Sequence, residues 1–109
     1  MAQSYIISGS SLLGYDDIYR TIYQCPASAT SLVNSIYMGN SGIGDTAATV
    51  KLSDDSQATG YLITSKCLVP EQSTLQPVSA PLVLKGNDSI SVKDASGFLD
   101  VVVNVLEIT

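Results

Sequence analysis

Short runs of aliphatic, β-branched and aromatic residues, separated by Gly, Pro, Asn, Asp and Ser, dominate the chain. That spacing predicts strands joined by tight turns rather than helices. The first run, Tyr5-Ile6-Ile7, ends at Gly9, and a polar stretch containing Leu12-Leu13 follows. Ile18 to Cys25 is the second run, closed by Pro26; alternation puts Ile18, Arg20, Ile22 and Gln24 on one face and Tyr19, Thr21, Tyr23 and Cys25 on the other. A helix capped by Asp17 is the rival there, but the β-branched content and the terminating Pro favour a strand. In the third run Leu32, Asn34, Ile36 and Met38 alternate with Val33, Ser35 and Tyr37. Thr46 to Leu52 follows, with Ala48, Val50 and Leu52 predicted to face inward, then Tyr61 to Val69, ended by Pro70. Three of the four prolines fall between Pro70 and Pro81, which predicts a connection or an edge because Pro donates no ladder bond. Leu82-Val83-Leu84 runs through Lys85-Gly86-Asn87-Asp88 into Ser89 to Lys93, a pair resembling a hairpin. The last run, Leu99 to Ile108, is apolar on both faces near its centre, the pattern of a central strand covered on both sides.

These runs predict an all-β chain: a single antiparallel β-sandwich, jelly-roll or immunoglobulin-like, of seven to eight strands. Residues 18–109 form the expected sandwich, and residues 1–17 are either an N-terminal arm or its first strand, with docking on a neighbour as the expected role of an arm. A chain of 109 residues accommodates one domain.

Charge narrows the function classes. Ten acidic and five basic residues give a net charge of -5, and the five cations are scattered, so nucleic acid is not the expected partner. Charged residues make up only 14%, and the 24 Ser and Thr positions supply much of the polar surface instead, so disorder is not expected either. The longest apolar stretch, Val101 to Val103, is too short to span a bilayer, and the first residues lack the basic start and apolar run of a signal peptide.

Chemistry-bearing residues are few. Without His, the Ser-His, Cys-His and metal-His arrangements are unavailable, and two cysteines cannot by themselves build a structural zinc site. No catalytic residue, metal or cofactor is therefore expected. Adjacent carboxylates occur only at Asp16-Asp17 and Asp54-Asp55, both in predicted turns; a calcium site from Asp45, Asp54 and Asp55 lacks repeated acidic spacing. The Gly39-Asn40-Ser41-Gly42-Ile43-Gly44 stretch lacks the Lys-Ser/Thr and the helix that a phosphate cradle needs, and reads as an interstrand loop. Cys25 and Cys67 are either two small buried residues or a disulfide, if adjacent strands bring them together. Six tyrosines against one Phe and no Trp stand out, because a ring with a polar tip suits half-wet interfaces. Tyr19 and Tyr23, expected on one face, are candidates for contact with a partner or a sugar, and Tyr61 is a third candidate for a sugar.

The order of several segments carries a family resemblance. An aromatic strand enters Tyr23-Gln24-Cys25-Pro26-Ala27-Ser28-Ala29-Thr30, and an aliphatic strand ends in Ser35-Ile36-Tyr37-Met38-Gly39-Asn40. Val69-Pro70-Glu71-Gln72-Ser73-Thr74-Leu75, then Pro81-Leu82-Val83-Leu84-Lys85-Gly86-Asn87-Asp88, and a closing Leu106-Glu107-Ile108 complete the series. From Tyr5 onward the chain resembles small virion structural proteins of tailed bacteriophages of the marine and cyanobacterial type. The resemblance implies a non-enzymatic part of a virus particle, assembled in the host cytoplasm, with a trimer or other symmetric oligomer as the expected state. The implied partners are other copies and virion proteins such as the major capsid protein. A capsid decoration (cement) protein is the first expectation; a tail, collar or baseplate component, with host glycan as a further ligand, is the second. Cys25 stands where the family usually has an aliphatic residue and Cys67 precedes the second proline motif, which brings the two forward as a pair. The interface candidates are Tyr5, Ile6, Ile7, Leu12, Leu13 and Tyr15 in the N-terminal segment, with Tyr19 and Tyr23.

Overall fold

The computed structural model describes residues 3–14, 17–55, 59–78 and 82–109. Within them lie nine strands: β1 (Gln3–Ser11), β2 (Arg20–Gln24), β3 (Thr30–Asn40), β4 (Thr46–Asp54), β5 (Thr59–Val69), β6 (Thr74–Val78), β7 (Leu82–Leu84), β8 (Ser89–Asp94) and β9 (Leu99–Ile108). One sheet runs β1-β9-β3-β6 with β7 also on β3, and the other runs β2-β8-β4-β5. Every pairing is antiparallel. Because β6 and β7 both pair with β3, they fill one position in the sheet. The chain therefore builds two four-position sheets, and it changes sheet at every connection except β4–β5 and β6–β7. This is the jelly-roll order of a β-sandwich, and not the immunoglobulin one.

The core lies between the sheets. Val33, Ile36, Met38, Leu84, Leu99, Val101 and Val103 from the first sheet meet Val50, Val69, Ile90 and Val92 from the second, all fully buried. Each such side chain contributes about 1.5–3 kcal/mol relative to exposure. Leu12, just past β1, is also fully buried, and its N–H donates to the Leu99 carbonyl at 2.9 Å.

Three sequence expectations change in the folded chain. Ile22 and Tyr23, assigned to opposite faces, are both buried, because a β-bulge between Thr21 and Tyr23 inserts Ile22 as an extra residue opposite β8. A second bulge, at Asn34, reverses the phase of β3: Leu32 points outward while Ile36 and Met38 point into the core. The expected hairpin of 82–84 with 89–93 does not form, since β7 pairs with β3 in one sheet and β8 lies between β2 and β4 in the other. The edge expected in the proline-rich stretch is there, as β6.

The crossover that replaces the hairpin is closed by Asp88, whose carboxylate accepts the Lys85 N–H at 2.9 Å and the Asp55 N–H at 2.9 Å. It locks against the turn after β2, with the Cys25 N–H donating to the Asp88 carbonyl and the Asn87 N–H to the Cys25 carbonyl. The two turns touch so closely that a Cβ on Gly86 would lie 2.3 Å from the Ala27 carbonyl oxygen. Gly86→Ala is expected to cost about 2 kcal/mol, in the range of core overpacking. A thermal melt should show a Tm lower by about 10 °C for a domain of this size. An unchanged Tm would mean the two turns can separate freely.

Candidate functional site: the open face of the five-stranded sheet

Antiparallel register places side chains in rows across the sheet, and three neighbouring outward rows of the β1-β9-β3-β6/β7 sheet are uncharged, two of them largely apolar. Tyr5 pairs with Leu106, Leu106 with Leu32, and Leu32 with Val83, so one row crosses four strands with the Tyr5 hydroxyl as its one polar group and no charge. A second row joins Ile7, Asn104 and Ser35, where Asn104 Nδ2 donates to Ser35 Oγ at 2.9 Å. A third joins Gly9, Val102 and Tyr37. Tyr5 is 83% exposed, Ile7 77% and Val83 55%, while Leu32 and Leu106 are half-buried by their neighbours. A shallow hollow of about 280 Å³ opens beside Tyr5, Ile7, Asn34 and Asn104. None of the three rows carries a charge; Asp100, opposite Ser11 and Gly39, lies beyond their end. Among the described residues, the apolar centre of the last strand is thus covered on its inner face alone.

The other sheet presents a different surface. Tyr19 is half-buried beneath Lys51 and Lys93, whose ammonium groups lie 4.2 and 4.9 Å from its ring centre. Lys93 also pairs with Asp17 at 3.7 Å. Thr21 and Ser91 hydroxyls meet at 3.3 Å on the same outer side. A ring already covered by ammonium groups makes a poor stacking platform for a sugar.

The sequence-derived candidates separate accordingly. Tyr5 and Ile7 lie on the open face, and Ile6 turns inward against the core. Leu12 is an interior plug and unavailable to a partner, whereas Leu13 in the following turn is 79% exposed. Tyr15 lies outside the described residues. Tyr23 does not share a face with Tyr19: the bulge swings it into the interior, where its hydroxyl donates to Glu107 Oε2 and meets Ser31 Oγ at 2.8 Å. The two cysteines are free thiols. Cys25 follows β2 and Cys67 lies in β5, at opposite edges of one sheet with β8 and β4 between them. Strands about 4.8 Å apart put that separation well beyond disulfide reach. Composition alone did not single out Leu32, Tyr37, Val83, Val102 and Leu106; the signal available was the two-sided apolar pattern of the last run.

Burial, reinforced by the Glu107 carboxylate, raises the Tyr23 phenol well above its ordinary value. The protonated phenol is favoured in the folded state, so its stabilising contribution is complete below the ordinary tyrosine value of about 10 and is lost as pH rises above it. Urea unfolding is expected to show stability falling above that pH, with Tyr23→Phe flattening the decline. Equal slopes in both proteins would sink this assignment.

Among the described residues no three or more Cys, Asp or Glu groups are gathered as for a metal ion. No helix among them is long and apolar enough to cross a membrane. Neither protein-family models nor the sequences of curated proteins match this chain. Its fold does match solved structures. A chain of the acid-stable capsid of the Helicobacter pylori bacteriophage KHP30 superposes with a TM-score of 0.58 at 10% identity, covering 100% of this chain and 89% of that one. A chain from Bacillus endospore appendages, described as disulfide-linked pili, gives 0.57 at 14% identity, covering 99% and 87%. The Drosophila NLP core, studied for pentamer formation and histone binding, gives 0.51 at 11% identity, covering 99% and 98%. At these identities the likeness is one of fold.

Proposed function

We propose that this protein is a non-enzymatic structural subunit of a tailed-phage particle, a capsid decoration protein that works through contacts with other copies and with the major capsid protein. The observation that carries the proposal is the uncharged, largely apolar row Tyr5-Leu106-Leu32-Val83 on a face the described residues leave open. An apolar patch of this kind is costly to keep wet and marks a protein contact. The order of sequence motifs and the shared jelly roll of the phage KHP30 capsid chain support the virion setting. The pilus and NLP chains show that the same fold occurs in other assembled proteins. A tail or collar location with glycan binding is the second reading: of its three aromatic candidates Tyr23 is buried and Tyr19 is covered by lysines, which leaves Tyr61 exposed on β5.

Electron cryo-microscopy of particles bearing a labelled copy of this chain tests the proposal. Label at regular positions on the capsid surface is the expected result. Label confined to the tail would replace decoration with the second location, and absence from particles would end the virion reading.

A further inference from the structure

The sandwich has four sheet edges, at β1, β6/β7, β2 and β5, and they are not protected alike. β5 has register breaks opposite Val50 and carries Lys66 in a left-handed conformation at φ 50°. β2 has five residues, a bulge, and Arg20 at its start. The β6/β7 edge is divided between two strands, has a register shift opposite Ile36 and Met38 of β3, and includes Pro77, which has no N–H to offer. These are recognised ways of blunting an edge. β1 has none of them: nine residues, Gln-Ser-Tyr-Ile-Ile-Ser-Gly-Ser-Ser, pair with β9 in unbroken register and contain neither a charge nor a proline.

The direction of its hydrogen bonds follows from the ladder. Leu12 N–H donates to the Leu99 carbonyl in line with the β1–β9 register. Residues alternate in an antiparallel ladder, so Ser4, Ile6, Ser8 and Ser10 bond toward β9 while Gln3, Tyr5, Ile7, Gly9 and Ser11 point their N–H and C=O groups outward. Arg20 NH1 donating to the Ser11 carbonyl at 2.7 Å agrees with this and caps that end. Among the described residues, Gln3, Tyr5, Ile7 and Gly9 are left as an open row.

We infer that β1 is a self-pairing edge: two copies of the chain join β1 to β1 antiparallel, about a two-fold axis, into one continuous sheet. The occupant follows by elimination, since the sole long unblunted edge among the described strands is the β1 of another copy. Register follows from the open row. Setting Tyr5 opposite the partner's Ile7 and Gln3 opposite the partner's Gly9 uses every open residue and leaves Ser11 with Arg20. It also makes two aromatic–β-branched cross-strand contacts on the apolar face. Ile6 then falls opposite its own copy on the axis. This deepens the proposed assembly role, because pairing doubles the width of the apolar face, and it rests on that reading only for its biological use.

Light scattering on the full chain reads the mass directly, with a dimer at twice 11.4 kDa expected. Ile7→Pro removes an outward N–H without touching the β9 ladder, and Ile7→Lys places a charge in the junction; both are expected to give monomers with unchanged far-UV circular dichroism. Val83→Lys, on the far side of the sheet, should remain dimeric. On oxidation Ile6→Cys should cross-link to itself, because the opposed Cα atoms of a non-hydrogen-bonded pair lie about 4.5 Å apart, within disulfide range. Ile7→Cys should not. A wild-type protein that stays monomeric at high concentration overturns the inference. So does a dimer that survives Ile7→Pro, or one that Val83→Lys abolishes. Incorporation into particles is scored separately, so a monomer that still decorates capsids would defeat the edge pairing and leave the decoration role standing.

Discussion

Replacing Asp94 with Ala is expected to destabilise the protein by about 3–4 kcal/mol, a large part of what holds a domain of this size together. Asp94 ends β8 and is fully buried. Its Oδ1 accepts the Thr46 hydroxyl at 3.1 Å and the N–H groups of Ser96 at 2.8 Å, Gly97, and Phe98 at 3.3 Å; Oδ2 accepts the Leu99 N–H at 3.1 Å. The turn from β8 to β9, with Gly97 in the left-handed region at φ 71°, is therefore wrapped around one carboxylate. That turn carries the chain from one sheet to the other, and Thr46 ties it to the start of β4. Alanine would orphan four backbone donors and a hydroxyl, each costing about 1–3 kcal/mol if left buried and unsatisfied, with relaxation of the turn recovering part of the sum. Asp94→Asn keeps one acceptor oxygen but sets an amide donor against a backbone donor, so a loss of about 1–2 kcal/mol is expected. Urea denaturation with an unchanged m-value measures both. A loss under about 1 kcal/mol for the alanine variant would show that the turn does not depend on this carboxylate.

The second large effect concerns assembly and not stability. Val83→Lys combined with Val102→Lys places two charges on the open face, at positions 55% and 36% exposed in the wild type. Folding should change by no more than about 0.5 kcal/mol, since surface substitutions away from special features are usually that small. Capsid occupancy, measured by adding purified protein to particles that lack it, should fall at least about tenfold, because desolvating even one unpaired ammonium costs more than the 1.4 kcal/mol that a factor of ten represents. Full occupancy with the folded variant would remove this face from the capsid contact. Because Val83→Lys alone is expected to leave the β1–β1 junction intact, the face and the edge can be separated in the same set of proteins.

Individual residues show where sequence reading succeeded and where it stopped. The runs around Tyr5, Thr46, Tyr61, Ser89 and Leu99 all became strands, because β-branched and aromatic content between turn residues leaves little else for the backbone to do. Phase was lost at Ile22 and Asn34, where one extra residue opposite a neighbouring strand reverses every side chain that follows. No local signal marks such a bulge, since it depends on the partner's register. Lys85-Gly86-Asn87-Asp88 has turn chemistry that serves a hairpin and a sheet-to-sheet crossover equally well; the fit of Gly86 against Ala27 belongs to the crossover. Asp94 carried no visible signal at all, being one Asp-Ala-Ser-Gly turn among several polar ones.

Alternation and composition were enough to determine a two-layered β-sandwich, because burying one side of each strand is how such runs leave water. Tertiary structure decided which of the two-sided strands remain wet on one face and which edge stays open. Both depend on the order of strands in the sheets, which local sequence does not encode: side chains thirty or more residues apart meet in one row only after the chain has crossed between layers.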